Sequence, residues 1–291
     1  MTLNIESFFD EATFTASHLV WDAVTREAAV IDTVLDLDAR SGKVCATSAD
    51  KILSAIRSHD LALAYVLETH AHADHLSAAQ TIKAHTGAKI VIGAAIEGVS
   101  AFFTPLLNLP PTSVGELGFD RLVRDGDILP LGEHRVAVIA TPGHTPACVT
   151  YRIGDALFVG DTLFMPDYGT ARCDFPGGDA TQLYRSIRRL LNFPLETRMF
   201  LCHDYKAPGR DEFRFETTVG AQREGNIHAR DGISEADFVA MRQARDATLV
   251  TPALLYPSLQ VNVRAGRLPP AEANGRRYLK IPLTIGAGVT A

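Results

Sequence analysis

Cysteine is scarce in this sequence, and basic charge is not in excess. The chain has four cysteines among 291 residues, widely spaced and without a CxxC pair. This excludes a disulfide framework and favours a reducing, cytoplasmic location. Lysine and arginine number 28 against 34 acidic residues, which gives a net charge of −6. Because a general nucleic-acid binder needs a dominant basic surface, we expect no nucleic-acid partner.

Long apolar runs are absent as well. No stretch approaches the ~18–20 apolar residues that span a bilayer, and residues 1–11 lack the basic start of a signal peptide. We therefore expect no membrane association. Hydrophobic residues still make up 46% of the chain, which is enough to bury a sizeable core and excludes disorder as the main state.

Short apolar runs alternate with turns along most of the chain. They predict strands in two groups, each followed by helices, and this order favours two packed sheets with helices outside, an αββα sandwich. We expect residues 1–247 to form one catalytic domain. Residues 248–291 show little periodicity, and we expect them to form an extension packed on the same domain. A helix is predicted over residues 76–86, ended by Gly87.

Histidine and aspartate cluster directly after the apolar run at residues 61–67, where the chain reads THAHADH over residues 69–75. Residues two apart in an extended segment point the same way, so His70 and His72 can reach one point in space. Asp74 and His75 lie at the following turn and can reach a neighbouring point. Imidazole and carboxylate groups together suit zinc, iron or manganese. The segment therefore predicts a metal site.

Three more candidate ligands each follow an apolar strand. His144 lies in TPGHT, Asp161 in GDTLF, and His203 in LCHDY. Strand ends that meet at one edge of a sandwich would bring these side chains to the first cluster. The remaining histidines stand alone and are predicted to be ordinary hydrogen-bonded residues without a role in the site: His18, His59, His85, His134 and His228.

This set of spaced motifs, covering residues 12–205, resembles the metallo-β-lactamase superfamily. The segments at residues 69–75, 141–145, 160–164, 172–175 (RCDF) and 203–205 (HDY) resemble its persulfide dioxygenase (ETHE1-like) branch. The resemblance implies a four-layer αββα fold and the oxidation of glutathione persulfide by O₂ to sulfite and glutathione. It also implies one Fe(II) per chain, held by His70, His144 and Asp161.

The same resemblance implies roles for the other motif residues. His72, Asp74, His75 and His203 would orient the ligands or form a second metal site, and the candidate catalytic residues are His203 and Asp74. Arg172 is predicted to bind a substrate carboxylate or to pair with Asp174, and Tyr205 to line the pocket. Asp32 resembles a superfamily position that supports the metal loop. Members of this family are often homodimers.

A dinuclear hydrolase is the alternative interpretation of the same residues. Two zinc ions or mixed metals would then share Asp161 as a bridge, and a metal-bound hydroxide would be the nucleophile. Glyoxalase II-like thioesterases, lactonases and β-lactamases belong to this class. The RCDF segment favours the dioxygenase. The sequence departs from shorter members of that branch at residues 169–171 and in the long extension, which carries Arg264, Arg267, Arg276 and Arg277.

Overall fold

The computed structural model describes residues 3–110 and 113–286. Within these ranges the chain forms two six-stranded sheets, a small three-stranded sheet and surrounding helices. The strands are β1 Leu3–Asp10, β2 Thr15–Asp22, β3 Glu27–Ile31, β4 Val34–Asp38, β5 Lys43–Cys45, β6 Ala62–Leu67, β7 Leu76–Ser77, β8 Lys89–Gly93, β9 Arg121–Val123, β10 Ile128–Leu131, β11 His134–Ala140, β12 Val149–Ile153, β13 Ala156–Phe158, β14 Arg198–Phe200 and β15 Glu216–Thr218. The helices are α1 Thr47–Ser58, α2 Ala79–Thr86, α3 Ile96–Leu106, α4 Ala180–Leu190, α5 Val219–Gly225, α6 Glu235–Asp246 and α7 Leu255–Asn262.

Strand pairing divides the chain into an N-terminal and a C-terminal sheet. The first sheet has the order β1-β2-β3-β6-β8-β9 and the second β10-β11-β12-β13-β14-β15. In β3, Ala29 and Ile31 pack into the interior between the sheets, whereas Ala28 and Val30 pack on the outer face. This two-residue alternation is the expected consequence of strand geometry when both faces are buried.

Helices cover the outer face of each sheet. Ile52 of α1 and Ile82 of α2 join the outer core of the first sheet. Leu183 and Ile187 of α4 and Phe238 of α6 pack on the second sheet. The layers therefore run helix, sheet, sheet, helix, and the predicted αββα sandwich is confirmed.

The start of the helix predicted over residues 76–86 is wrong. Leu76 and Ser77 form β7, which pairs antiparallel with β4 through Leu35 and Val34. Helix α2 begins only at Ala79 and ends, as expected, at Gly87, whose φ is 74°. The segment after the histidine cluster has helical periodicity, but its first two residues pair with β4 instead of forming a helix.

The extension contains a helix that periodicity missed. In α7, Val261 packs into the outer core of the first sheet, and Leu259 packs beside α3. Residue 1 and residues 287–291, where the predicted domain and extension begin and end, lie outside the described residues. Among the described helices, none is both long and apolar enough to cross a bilayer.

Candidate metal centre

The candidate ligands lie together at one edge of the sandwich, where four strands end. His70 follows β6, His144 follows β11, Asp161 follows β13 and His203 follows β14. All are buried or nearly so. Together with the segment at residues 69–75, they include two neighbouring groups of converging ligand atoms: the triad His70, His144 and Asp161, and the quartet His72, Asp74, His75 and His203.

The triad presents two imidazole nitrogens to one carboxylate oxygen. Asp161 Oδ2 lies 3.8 Å from His70 Nε2 and 3.6 Å from His144 Nε2. The opposite ring nitrogens are fixed elsewhere: His70 Nδ1 contacts Thr69 Oγ1 at 3.0 Å, and His144 Nδ1 donates to the Arg172 carbonyl at 2.8 Å. Burial and the neighbouring imidazoles hold the pKa of His70 well below its ordinary value. The ring is therefore neutral, the form that binds metal.

The quartet consists of buried polar atoms that lack partners. Within residues 3–110 and 113–286, His72 Nδ1, Asp74 Oδ2, His75 Nε2 and His203 Nε2 have no hydrogen-bond partner, nor has Asp161 Oδ1. His203 Nε2 lies 3.4 Å from both Asp74 Oδ2 and Asp161 Oδ1. Buried polar atoms are otherwise almost always paired, so a convergent set of them is the arrangement a cation would satisfy. The residues of both groups fit a metal.

Asp32 supports the histidine segment from the next strand. Its carboxylate accepts hydrogen bonds from the Thr69 backbone N–H at 2.7 Å, from Thr69 Oγ1 at 2.8 Å and from His72 Nε2 at 3.0 Å. Burial alone would lower the pKa of His72, but the Asp32 carboxylate helps to raise it well above its ordinary value. These contacts fix the orientation of His72, as groups behind a metal ligand commonly do.

The position directly before Asp161 requires a glycine, Gly160. Its φ is 53°, and a Cβ at this position would lie 2.4 Å from Thr69 Oγ1. A larger residue would therefore push apart the segments that carry Asp161 and His70, because neither the backbone conformation nor the space admits a side chain.

A cavity of about 190 Å³ reaches two members of the triad, His144 and Asp161, and the neighbouring Asp74 carboxylate. Three aromatic side chains also line it: Phe164, Tyr168 and Tyr205. So do three arginines: Arg172, Arg242 and Arg245.

The two predicted substrate residues both line this cavity. The Tyr205 ring stacks on His203 with 5.6 Å between ring centroids. Arg172 makes two hydrogen bonds of 2.5 Å to Asp174 and one of 2.8 Å to the Val250 carbonyl. Asp174 therefore balances the charge of Arg172, as one of the two predictions for this residue has it. Binding of a substrate carboxylate by Arg172 stays a prediction.

Arg242 and Arg245 are cavity cations that sequence reasoning missed. Arg242 is buried and pairs with Asp246 at 2.6 Å. Arg245 has no ion pair or side-chain hydrogen bond with any residue in the described ranges, and it is exposed to the cavity. The spacing of Arg242 and Arg245 on one helix places both on one face, and this was the available signal.

Comparisons of the chain with known proteins agree on one family. The family model of the metallo-beta-lactamase superfamily matches residues 11–203. A Burkholderia pseudomallei protein named "Probable metallo-hydrolase" is 50% identical over 97% of this chain and 99% of its own length. The "Beta-lactamase hydrolase-like protein" of Xylella fastidiosa is 48% identical over 97% of this chain, which spans 65% of that protein's length.

Likeness to persulfide dioxygenases appears in both sequence and structure. The Homo sapiens protein "Persulfide dioxygenase ETHE1, mitochondrial" is 27% identical over 90% of this chain and 88% of its own length. The crystal structure of ETHE1 from Myxococcus xanthus superimposes with a TM-score of 0.72 and 30% identity, covering 91% of this chain and all of that one (100%). These matches support the ETHE1-like branch.

Proposed function

The chain belongs to the metallo-β-lactamase superfamily, and from this premise we propose that it is a persulfide dioxygenase. In the proposed reaction, glutathione persulfide, O₂ and water give glutathione, sulfite and two protons. The S–S bond breaks, and the electrons that the outer sulfur loses reduce O₂. One observation carries the proposal: a triad of two imidazoles and one carboxylate opens to a cavity in a fold shared with ETHE1 of Myxococcus xanthus.

Iron(II) is the metal we propose for the triad. Two histidines and one carboxylate on one face, with open positions beside them, are the donor set of non-haem iron oxygenases. His70, His144 and Asp161 would hold the ion. When bound, iron supplies the redox chemistry that lets a persulfide sulfur react with O₂.

The cavity walls would bind and orient the thiol carrier. Glutathione carries carboxylates, and the Arg245 guanidinium, which has no partner among the described side chains, is available to bind one of them. The aromatic side chains of Phe164, Tyr168 and Tyr205 would keep bulk water from the sulfur. His203 and Asp74 lie at the metal centre, where we propose that His203 donates a hydrogen bond to an oxygen atom of the reacting group.

Oxygen uptake tests the proposal directly. Protein purified anaerobically and loaded with Fe(II) should consume O₂ when given glutathione persulfide and should form sulfite. His70→Ala and Asp161→Ala should abolish both signals, whereas Arg185→Ala, which alters an exposed ion pair, should leave them unchanged. Absence of persulfide-dependent uptake by iron-loaded protein would overturn the proposal.

A dinuclear hydrolase is the second candidate. The unpartnered quartet atoms and the position of Asp161 between both groups favour it, and so does the name of the Burkholderia relative. Hydrolysis of S-lactoylglutathione without O₂ uptake, together with two metal ions per chain, would support this candidate over the first. One iron per chain with no thioesterase activity would exclude it.

A further inference from the structure

Asn262, the last residue of α7, contacts the metal loop, which we define as residues 72–77. Its side-chain amide donates to the carbonyl oxygens of His72 and His75, both at 2.8 Å. Its Oδ1 accepts from the Ser77 backbone N–H, also at 2.8 Å. Asn262 is buried, with 4% of its surface exposed. One side chain in the extension therefore holds three backbone groups around the candidate ligands.

The orientation of this amide is fixed by its partners. The Ser77 N–H can only donate, so an oxygen must face it, and the two carbonyls can only accept, so the NH₂ group must face them. An aspartate would keep the acceptor but lose both donors. An alanine would lose all three bonds.

The metal loop has few other means of fixing its backbone. Its residues 72–75 form no sheet or helix, and only Leu76 and Ser77 pair with a neighbouring strand, β4. A buried carbonyl without a partner is destabilising, so loss of Asn262 would favour rearrangement of the loop. His72 and His75 give their carbonyls to Asn262 and their side chains to the quartet, so such a rearrangement would move these ligands.

A second set of contacts joins the loop to the strand before it. Ser77 Oγ donates to Glu68 Oε1 at 2.7 Å, and the other Glu68 oxygen lies 3.5 Å from His72 Nε2. Gly266, just after α7, has a φ of 79°, and a Cβ there would lie 2.8 Å from the Ser77 carbonyl. The turn after α7 therefore packs closely against the metal loop at Ser77.

We propose that Asn262 is a positioning residue for the metal centre and that α7 serves to hold the metal loop. The proposal requires the metal centre, but it is independent of the reaction that the centre catalyses. It assigns the extension a function that neither its periodicity nor its arginines predicted.

Gln260 provides a matched control on the same helix. It is buried to a similar degree, with 1% exposed, and its amide also makes three hydrogen bonds: to the Tyr256 carbonyl and to the carbonyl and N–H of Lys280. None of these partners belongs to the metal loop. Gln260→Ala should therefore lower stability without disturbing the ligands.

The test is titration of the full-length apoprotein with Co(II), read by visible absorption, alongside thermal unfolding. Asn262→Ala should weaken Co(II) affinity about tenfold or more, in the range seen for groups behind metal ligands, and should change the absorption bands. Gln260→Ala should keep the affinity within about twofold of the original protein. Asn262→Asp, which keeps the side-chain volume, should reproduce the loss and serves if Asn262→Ala does not fold.

Two results would overturn the proposal. One is unchanged Co(II) affinity and absorption in a folded Asn262 variant. The other is an equal loss of affinity in Gln260→Ala, which would make the effect one of general stability. Failure of the unmodified protein to bind Co(II) would instead refute the metal centre itself, so the two failures are distinguishable.

Discussion

The triad and the quartet differ in how far small molecules in the cavity can reach their side chains. Triad members His144 and Asp161 line the cavity, so small molecules can reach them. In the quartet, His72, His75 and His203 are fully buried and do not line the cavity, whereas Asp74 does. Asp161 belongs to both, because Oδ2 faces the triad and Oδ1 faces His203. One constellation can therefore support mononuclear or dinuclear chemistry, and occupancy of the quartet decides between them.

Removal of Asp161 should break both groups at once and have the largest effect. We expect Asp161→Ala to lose more than about a hundredfold in metal affinity, since even groups behind the ligands are worth 10–100-fold. Elemental analysis and Co(II) titration measure the loss. Asp125→Ala is the control, because that carboxylate is exposed and pairs with Arg189. Stoichiometric metal in Asp161→Ala would contradict the shared-ligand assignment.

Single histidine variants should separate the groups. For a mononuclear enzyme, His70→Ala should lose its iron and its O₂ uptake, whereas His203→Ala should keep the iron and lose about tenfold in turnover. Iron content and persulfide-dependent O₂ uptake are the measurements. Full turnover in His203→Ala would remove the proposed role of that residue. Equal loss of metal in both variants would favour the dinuclear candidate.

Asp32→Asn should weaken both groups by a smaller amount. Asp32 accepts from the Thr69 N–H and from His72 Nε2 on Oδ1, and from Thr69 Oγ1 on Oδ2. An amide has one oxygen and no charge, so the bond to Thr69 Oγ1 must reverse its direction and His72 loses its charged partner. We expect about a tenfold loss of Co(II) affinity. An unchanged titration curve would show that Asp32 does not position these segments.

Arg245→Ala should act on the substrate and leave the metal untouched. A charge-assisted hydrogen bond is worth about 1.5–3 kcal/mol, so KM for glutathione persulfide should rise about tenfold with little change in kcat. Arg172→Ala should raise KM less, since Asp174 already pairs with its guanidinium. The comparison is best made by initial rates of O₂ uptake. A larger KM effect at Arg172 would reverse the assignment.

The sequence could predict the parts of the site that local patterns carry. The strands that precede His70, His144, Asp161 and His203 are visible as apolar runs followed by polar residues, and the sandwich fold brings their ends together. The pairing of β7 with β4 was not predictable, because helical periodicity continues through Leu76 and only a tertiary partner overrides it.

Contacts made across the whole chain left no local signal. Asn262 lies 190 positions from His72 and 187 from His75, in a segment without clear periodicity. The spacing of Arg242 and Arg245 was a weak local signal, but only the pairing of Arg172 with Asp174 and of Arg242 with Asp246 shows that Arg245 is the cavity arginine without an ion pair among the described residues.

The distance between Asn262 and the metal loop also sets an order of events during synthesis. A ribosome adds about 5–20 residues per second, so the 190 positions from His72 to Asn262 take about 10–40 s to translate. During that interval the nascent chain acquires all the candidate ligands before the residue that fixes two of their carbonyls exists. The metal loop therefore cannot reach its final geometry before α7 has been made, and a metal ion captured earlier would meet a looser set of ligands.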